Sequence, residues 1–268
     1  MIDRGKRNLL GVLIDAVDYD AACARILDAA RDSRAFGASA LAVHGVMTGV
    51  LDDAYRYRLN HLELVVPDGQ PVRWGLNLLH KVELPDRVYG PELTLRVCRL
   101  MAECSLPIYL YGSRPEVLDR LRQNLASKCP GLEIAGAQPS RFRRLSVAEK
   151  EEVVQRIVSS GARLVLAVLG CPRQEVFAYE MCQALSMPVL AVGAAFDFHA
   201  GTLAQAPGWM GRVGLEWLFR LSREPTRLAR RYLLLNPIYL MLLSTQLLGL
   251  RSFEVTTSGE PPGEVSYG

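Results

Sequence analysis

The feature that most constrains this chain is the alternation of short apolar runs with longer amphipathic ones. Strand-like runs fall at Leu9–Ile14, Ala40–His44, Leu62–Val66, Ile108–Tyr111, Leu132–Ala135, Arg163–Val168 and Val189–Val192. Helix-period runs lie between them, at Tyr19–Arg31, Val46–Leu59, Gln70–Leu79, Glu92–Glu103, Pro115–Lys128, Val147–Ser159 and Arg173–Leu185. Strands that are apolar throughout need cover on both faces, and a helix between successive strands makes them parallel. The expected fold class is therefore α/β, a mostly parallel sheet with helices on both faces. Strands near the start are alternatively a small edge or hairpin element.

Several of these runs end in glycine: Val43-His44-Gly45, Pro67-Asp68-Gly69, Tyr111-Gly112-Ser113, Leu169-Gly170-Cys171-Pro172 and Val192-Gly193-Ala194. Backbone amides exposed at such turns, with helix N-termini behind them, favour anions such as diphosphate. Five at one edge of the sheet point to a nucleotide or sugar-phosphate cleft. No G-x-G-x-x-G follows the first strand and no P-loop motif occurs, which argues against those two modes of phosphate binding. Within this set, Leu62–Gly69 stands out. Pro67 cannot donate to a ladder, so the strand stops there, and Gly69 lets the chain turn into the next helix. Asp68 thus sits at the carboxyl end of a strand, the rim where open α/β sheets bind ligands. A carboxylate there can act as base toward a hydroxyl group; the alternative is that it only caps the helix.

Composition narrows the class. The 268 residues are half hydrophobic, enough for a sizeable core. Six cysteines (Cys23, Cys98, Cys104, Cys129, Cys171, Cys182) include no C-x-x-C pair. That pattern suits reduced, cytoplasmic packing better than a disulfide scaffold or a zinc site. Four histidines lack metal-ligand spacing, so no metal is expected. The apolar stretch after the charged first residues is interrupted at Asp15, too soon for a secretory signal. The net charge is +3, yet residues 209–231 hold six arginines (Arg212, Arg220, Arg223, Arg227, Arg230, Arg231) against Glu216 and Glu224. The rest of the chain is slightly acidic, and the basic character is local.

The α/β pattern breaks at Ala206-Pro207-Gly208 and divides the chain into a core (1–205), a basic and apolar helical appendage (206–252) and a disordered tail (253–268) rich in Gly, Pro, Ser and Glu. Pro225 is expected to start a helix. Tyr232–Leu250 carries no charge and has the length of a membrane span. Asn236-Pro237 and Ser244-Thr245-Gln246 interrupt its apolarity and favour a helix lying at or dipping into the membrane interface. Arginines beside an apolar, aromatic surface suit anionic headgroups. The alternative is a helical hairpin buried in a homo-oligomer.

Four segments together resemble the WecG/TagA/CpsF glycosyltransferase family (glycosyltransferase family 26). They are Val66-Pro67-Asp68-Gly69; Asp86-Arg87-Val88-Tyr89-Gly90-Pro91-Glu92-Leu93; Gly170-Cys171-Pro172-Arg173-Gln174-Glu175; and Gly193–Gly201, which continues through Trp209-Met210 to Gly214-Leu215-Glu216-Trp217-Leu218-Phe219-Arg220-Leu221 and Glu224-Pro225. The resemblance runs in order over residues 10–237. It implies a Rossmann-like core, no cofactor or essential metal, and a C-terminal appendage that associates with the cytoplasmic face of the plasma membrane. It implies inverting transfer from a UDP-sugar to a polyprenyl-diphosphate-linked saccharide in teichoic-acid, common-antigen, capsule or exopolysaccharide assembly, with β-linked products.

Carried over residue by residue, the resemblance makes Asp68 the base that takes the acceptor proton. Arg87 becomes the group that offsets charge on the departing UDP, where position alone reads as a solvated loop arginine. Gln174 becomes a polar contact at the head of a helix, otherwise an ordinary first-turn residue. Asp197 becomes a hydrogen-bonding partner of uridine or sugar, otherwise a cap or ion-pair member. His44, alternatively a core or base-orienting histidine, and the strand-end glycines Gly69, Gly112 and Gly170 complete the expected substrate contacts, and the six arginines of 212–231 are the expected membrane contacts. One departure concerns the donor. Where the family commonly carries Thr-x-Asn, this chain has Ala42 and His44. A pocket discriminates by the bonds it makes to its substrate, so another UDP-hexose, such as UDP-glucose, is the expected donor, with UDP-N-acetylmannosamine or its uronate as the alternative. Two other readings compete: a membrane scaffold that kept the fold without the chemistry, and a nucleic-acid binder. The arginines are interleaved with Leu, Trp and Phe, which suits lipid better than phosphate backbone.

Overall fold

The computed structural model describes residues 1–255 and 259–263, apart from the side chains of residues 227, 230 and 231. Six strands form one all-parallel sheet: β3 (Phe36–Leu41), β4 (Leu64–Pro67), β5 (Ile108–Gly112), β6 (Ile134–Gln138), β7 (Leu164–Val168) and β8 (Pro188–Ala191), in the order β4-β3-β8-β7-β5-β6. Side chains alternate between its faces. Val65, Val165 and Val189 enter one core, and Leu64, Leu164 and Leu190 the other. On the first face lie α2 (Val43–Leu51), α3 (Asp53–Asn60), α4 (Gln70–His80), α7 (Val147–Ser159) and α8 (Arg173–Leu185). On the second lie α1 (Tyr19–Arg31), α5 (Gly90–Glu103), α6 (Pro115–Lys128) and α9 (Ala195–His199). This two-sided cover is what the continuous apolar strands require.

The start of the chain follows the hairpin alternative. The run Leu9–Ile14 is not one strand; it is the tip of an antiparallel pair, β1 (Asp3–Leu9) and β2 (Val12–Val17), turning at Leu10-Gly11. Its apolarity comes from Leu9, Leu10, Val12 and Ile14 all entering the first core. The hairpin covers the free edge of β4. Buried Asp15 accepts from the Val65 amide at 2.7 Å and pairs with Arg25 at 2.8 Å and Lys6 at 3.3 Å, so a side chain satisfies that amide of the edge strand.

Local signals set the helix bounds. Asp18 caps α1, and Ser146 with Glu149 forms a capping box on α7. Two expectations need correction for the same reason. The run Val46–Leu59 is split because Asp52 is extended and caps α3 by accepting from the Tyr55 amide. Ala40–His44 ends early as a strand because Val43 already begins α2, so Val43-His44-Gly45 is a helical first turn. All six cysteines are free.

Beyond residue 206 come α10 (Gly208–Arg212), α11 (Glu216–Arg223), α12 (Pro225–Arg230), a π-helical turn (Arg231–Leu235) and α13 (Asn236–Leu247). No helix among the described residues is long and apolar enough to cross a membrane. The uncharged stretch 232–250 is apolar partly because α13 docks on the protein itself. Tyr239, Leu242 and Leu243 join the first core, and the Tyr239 hydroxyl donates to the Pro71 carbonyl at 2.8 Å. The opposite side of this stretch leaves Leu240, Met241, Leu248 and Leu250 exposed. Of the tail, Phe253 accepts from Asn8 through its carbonyl, Glu260 accepts from the Tyr179 hydroxyl, and the Pro262 carbonyl accepts from Arg58. Residues 256–258 and 264–268 lie outside the described residues.

Candidate active site

The sheet rim builds the site through main-chain bonds. Pro67 closes β4 opposite Leu41 of β3, and the Asp68 amide donates to the Leu41 carbonyl at 3.1 Å. The loop before α5 is then drawn onto the same strand end, because the Val88 amide donates to the Pro67 carbonyl at 2.9 Å. That bond puts Arg87 beside Asp68, nineteen residues away in sequence. The first amide of α5, on Gly90, donates to Asp68 Oδ1 at 2.6 Å. Glycine eases this approach: a Cβ at position 90 would lie 3.2 Å from both Ala40 Cβ and the Val192 carbonyl oxygen, closer than ordinary contact. Asp68 therefore faces the N-terminus of α5, whereas its own following helix, α4, is capped at Gly69 without any side-chain bond. The helix-cap reading of Asp68 is replaced by an anchored carboxylate at the N-terminus of a distant helix.

A cavity opens over this rim. Its core wall includes Ala42, Val43, His44, Asp68, Gly69 and Arg87, with Gln70 and Pro71 from α4. Its other wall comes from the C-terminal helices: Gly214, Glu216, Trp217, Arg220, Tyr232 and Asn236. Trp217 and Tyr232 meet edge to face with centroids 6.0 Å apart. Arg87 binds Glu216 through Nη2 and Oε2 at 2.5 Å, both side chains mostly covered, and its guanidinium sits 4.3 Å from the centre of the Tyr89 ring. Arg220 lies 5.8 Å from the Phe198 ring centre, and its buried Nε has no acceptor among the described residues. A second cavity lies across the Arg87–Glu216 pair, lined by those two residues together with Tyr19, Asp86, Tyr89 and Arg212, among others.

The electrostatics follow from this arrangement. Loss of solvent pushes the Asp68 carboxyl up to about 6; the Arg87 charge and the Gly90 amide hold it back, Glu216 raises it and Arg220 lowers it. Among the described residues Asp68 Oδ2 has no hydrogen-bond partner. The site thus offers an ionisable carboxylate beside two guanidiniums, a suitable setting for deprotonating a hydroxyl group next to a phosphorylated ligand. No three His, Cys, Asp or Glu side chains among the described residues are placed to hold a metal ion.

Of the residues singled out from sequence, the structure brings His44, Gly69, Asp68, Arg87 and Arg220 to one cavity and Arg212 to its neighbour. Others sit elsewhere. Gln174 is buried and donates to Glu175 Oε1 at 2.7 Å; Ser39 donates to the same oxygen at 3.1 Å. Asp197 accepts from the Thr202 hydroxyl at 3.2 Å within its own turn. Gly112 serves main-chain packing, since a Cβ there would meet the Val168 carbonyl oxygen at 2.1 Å. Gly170 precedes the cis Cys171–Pro172 bond and is not in the cavity wall. Arg223 stacks on Phe219. The side chains of Arg227, Arg230 and Arg231 lie outside the described residues. Glu216, Trp217, Tyr232 and Asn236 were not anticipated as cavity residues. Their signal was the mixed aromatic and charged pattern of 209–236, which equally fits a membrane-facing surface.

Comparison with known families places the chain. The WecG/TagA/CpsF glycosyl transferase family matches residues 7–252, nearly the whole length, and the chain belongs to that family.

Proposed function

From that membership, we propose that this chain is an inverting hexosyltransferase that moves a sugar from a UDP-sugar to a polyprenyl-diphosphate-linked saccharide. The observation that carries the reading is the Asp68 carboxylate, with a free Oδ2, in one cavity with Arg87 and Arg220. Asp68 takes the proton of the acceptor hydroxyl as that oxygen attacks the anomeric carbon. The bond from that carbon to the UDP oxygen breaks with inversion. A carboxyl raised to about 6 is still ionised at neutral pH and is a stronger base than an ordinary aspartate. Arg87 and Arg220 offset the charge gathering on the diphosphate, and the buried Arg220 Nε–H is a donor in need of an anionic acceptor. The mechanism requires no metal for that task.

His44, at the head of α2, faces the cavity next to Ala42. A hydroxyl-and-amide pair is thus replaced by a methyl and an imidazole, which favours UDP-glucose over UDP-N-acetylmannosamine or its uronate. The product belongs to cell-surface or exopolysaccharide assembly. The exposed leucines and Met241 of 233–250, beside the arginine-rich stretch, support peripheral attachment to an anionic membrane surface on the cytoplasmic side.

The test is transfer of radiolabel from a panel of UDP-sugars to polyprenyl-diphosphate mono- and disaccharides, with EDTA present. Transfer from UDP-glucose is expected. Turnover with UDP-N-acetylmannosamine alone would overturn the donor assignment, and full activity of Asp68→Asn would move the reading to a non-catalytic scaffold. Sedimentation with anionic vesicles is expected for the intact chain; recovery in the supernatant would remove the membrane assignment.

A further inference from the structure

The Arg87–Glu216 pair is unusual in its position. Both residues, together with Gln70, line both cavities, so the pair lies between them. Glu216 is the first residue of α11, and neither α10 nor α11 contains a buried residue. These helices rest on the body through contacts at their edges. Gly214, with φ of +77°, lies against the Trp74 ring so closely that a Cβ would be 2.6 Å from it, and Gly211 leaves room for the Arg87 guanidinium, 3.4 Å from where its Cβ would stand. By contrast α13, further along, is rooted in the core through Tyr239, Leu242 and Leu243. A segment with no fully buried residue is thus held by surface contacts and, at the start of α11, by an ion pair.

That ion pair uses the guanidinium assigned above to the diphosphate, so this inference rests on the proposed function. A carboxylate at 2.5 Å occupies a donor edge that phosphate oxygens would need, and a second anion brought beside Glu216 would be repelled. We propose that Glu216 is a counter-ion latch: it holds α11 on Arg87 until phosphate oxygens of a nucleoside diphosphate take that guanidinium, whereupon the first turn of α11 is released and the two cavities join. Ligand occupancy and the position of the appendage are then coupled, and the coupling is reciprocal: whatever weakens the latch tightens the ligand. Trp217, next in sequence and in the wall of the first cavity, moves with it.

The experiment uses the full chain and its Glu216→Gln variant, with UDP as the probe. Glutamine keeps the size of the side chain and removes the charge, and the position lies on a helix with no buried residue, so the fold is retained. UDP is expected to bind the variant at least about fivefold more tightly. Amide exchange over 216–219, the first turn of α11, is expected to speed up in the parent chain when UDP is added, and to be fast in the variant without it. Weaker or unchanged UDP binding by Glu216→Gln, or slower exchange of that first turn on adding UDP, would overturn the latch. An Arg87→Ala control separates the two levels of the argument. UDP binding that survives it unchanged, or no UDP binding by any of the three chains, overturns the assignment of the diphosphate to this cavity and the latch with it.

Discussion

The two walls of the cavity are held by different forces. The core wall hangs on main-chain bonds at the end of a parallel sheet: Asp68 amide to Leu41, Val88 amide to Pro67, Gly90 amide to the Asp68 carboxylate. These bonds are short in reach and stiff, because strand ends and a helix N-terminus set both partners. The appendage wall takes Glu216, Trp217 and Arg220 from α11, a helix with no fully buried residue, and is held by the Arg87 ion pair, by ring contacts such as Arg220 on Phe198, and by the docked α13 further along. The difference teaches where chemistry and adaptability can reside. A base must be held within hydrogen-bond reach of the proton it takes, and Asp68 is on the stiff wall. A group that must yield to a ligand gains from a shallow hold, and Glu216 is on the loose one.

Substitutions on the two walls should therefore separate activity from stability. The largest effect is expected at Asp68: Asn in its place should lower turnover by about 10²–10⁴-fold while UDP still binds, as measured by single-turnover transfer and calorimetry. Arg87→Ala should cost about 10²–10³-fold in kcat and weaken UDP binding as well, because its charge acts in both steps. Across pH, the parent rate should fall as the medium is made more acidic through about 6, where the Asp68 carboxyl takes up its proton, and level off above it. A profile flat down to pH 5 would mean that another group is the base. At the root of the appendage the expected effects turn from rate to stability. Gly75 packs under the Tyr239 hydroxyl, where a Cβ would come within 2.7 Å, so Gly75→Ala should destabilise the chain by about 1–3 kcal/mol in urea melts. The smallest effect is expected for Tyr239→Phe, which deletes one bond to the Pro71 carbonyl, worth about 1 kcal/mol, with near-normal transfer activity. If that variant lost activity more than stability, α13 would belong to the site and not merely to its support.

Much of the core was legible because its signals are local. Helices α1, α6, α7 and α8 fall on the expected residues, marked by caps, by Pro115 or by unbroken periodicity. Asp68 was placed at a strand end by Pro67 and Gly69 alone. Other features depend on packing between distant elements. The run Leu9–Ile14 looks like a strand because a hairpin tip docked on the core is as apolar as a strand. Gln174, expected from the family resemblance as a polar contact, lies where α8 starts inside a polar cluster with Ser39 and Glu175, a setting no local pattern shows. The arginines and aromatics of 209–232 read as one membrane-facing surface. The structure turns Arg220, Trp217 and Tyr232 toward the cavity and leaves the apolar residues of 233–250 outside.

By itself, the sequence determined the alternation of strand and helix, the parallel sheet this demands, and the presence of a carboxylate at its rim. These are properties of neighbouring residues: side-chain period, proline without a donor, glycine at a turn. Only the tertiary structure decided which charges meet. Arg87 reaches Asp68 because a loop amide bonds the end of β4, and Glu216 reaches Arg87 across a separation of 129 residues because α11 folds back over the rim. Such pairings depend on how whole elements pack, and no local pattern encodes the partner of a charge that lies so far along the chain.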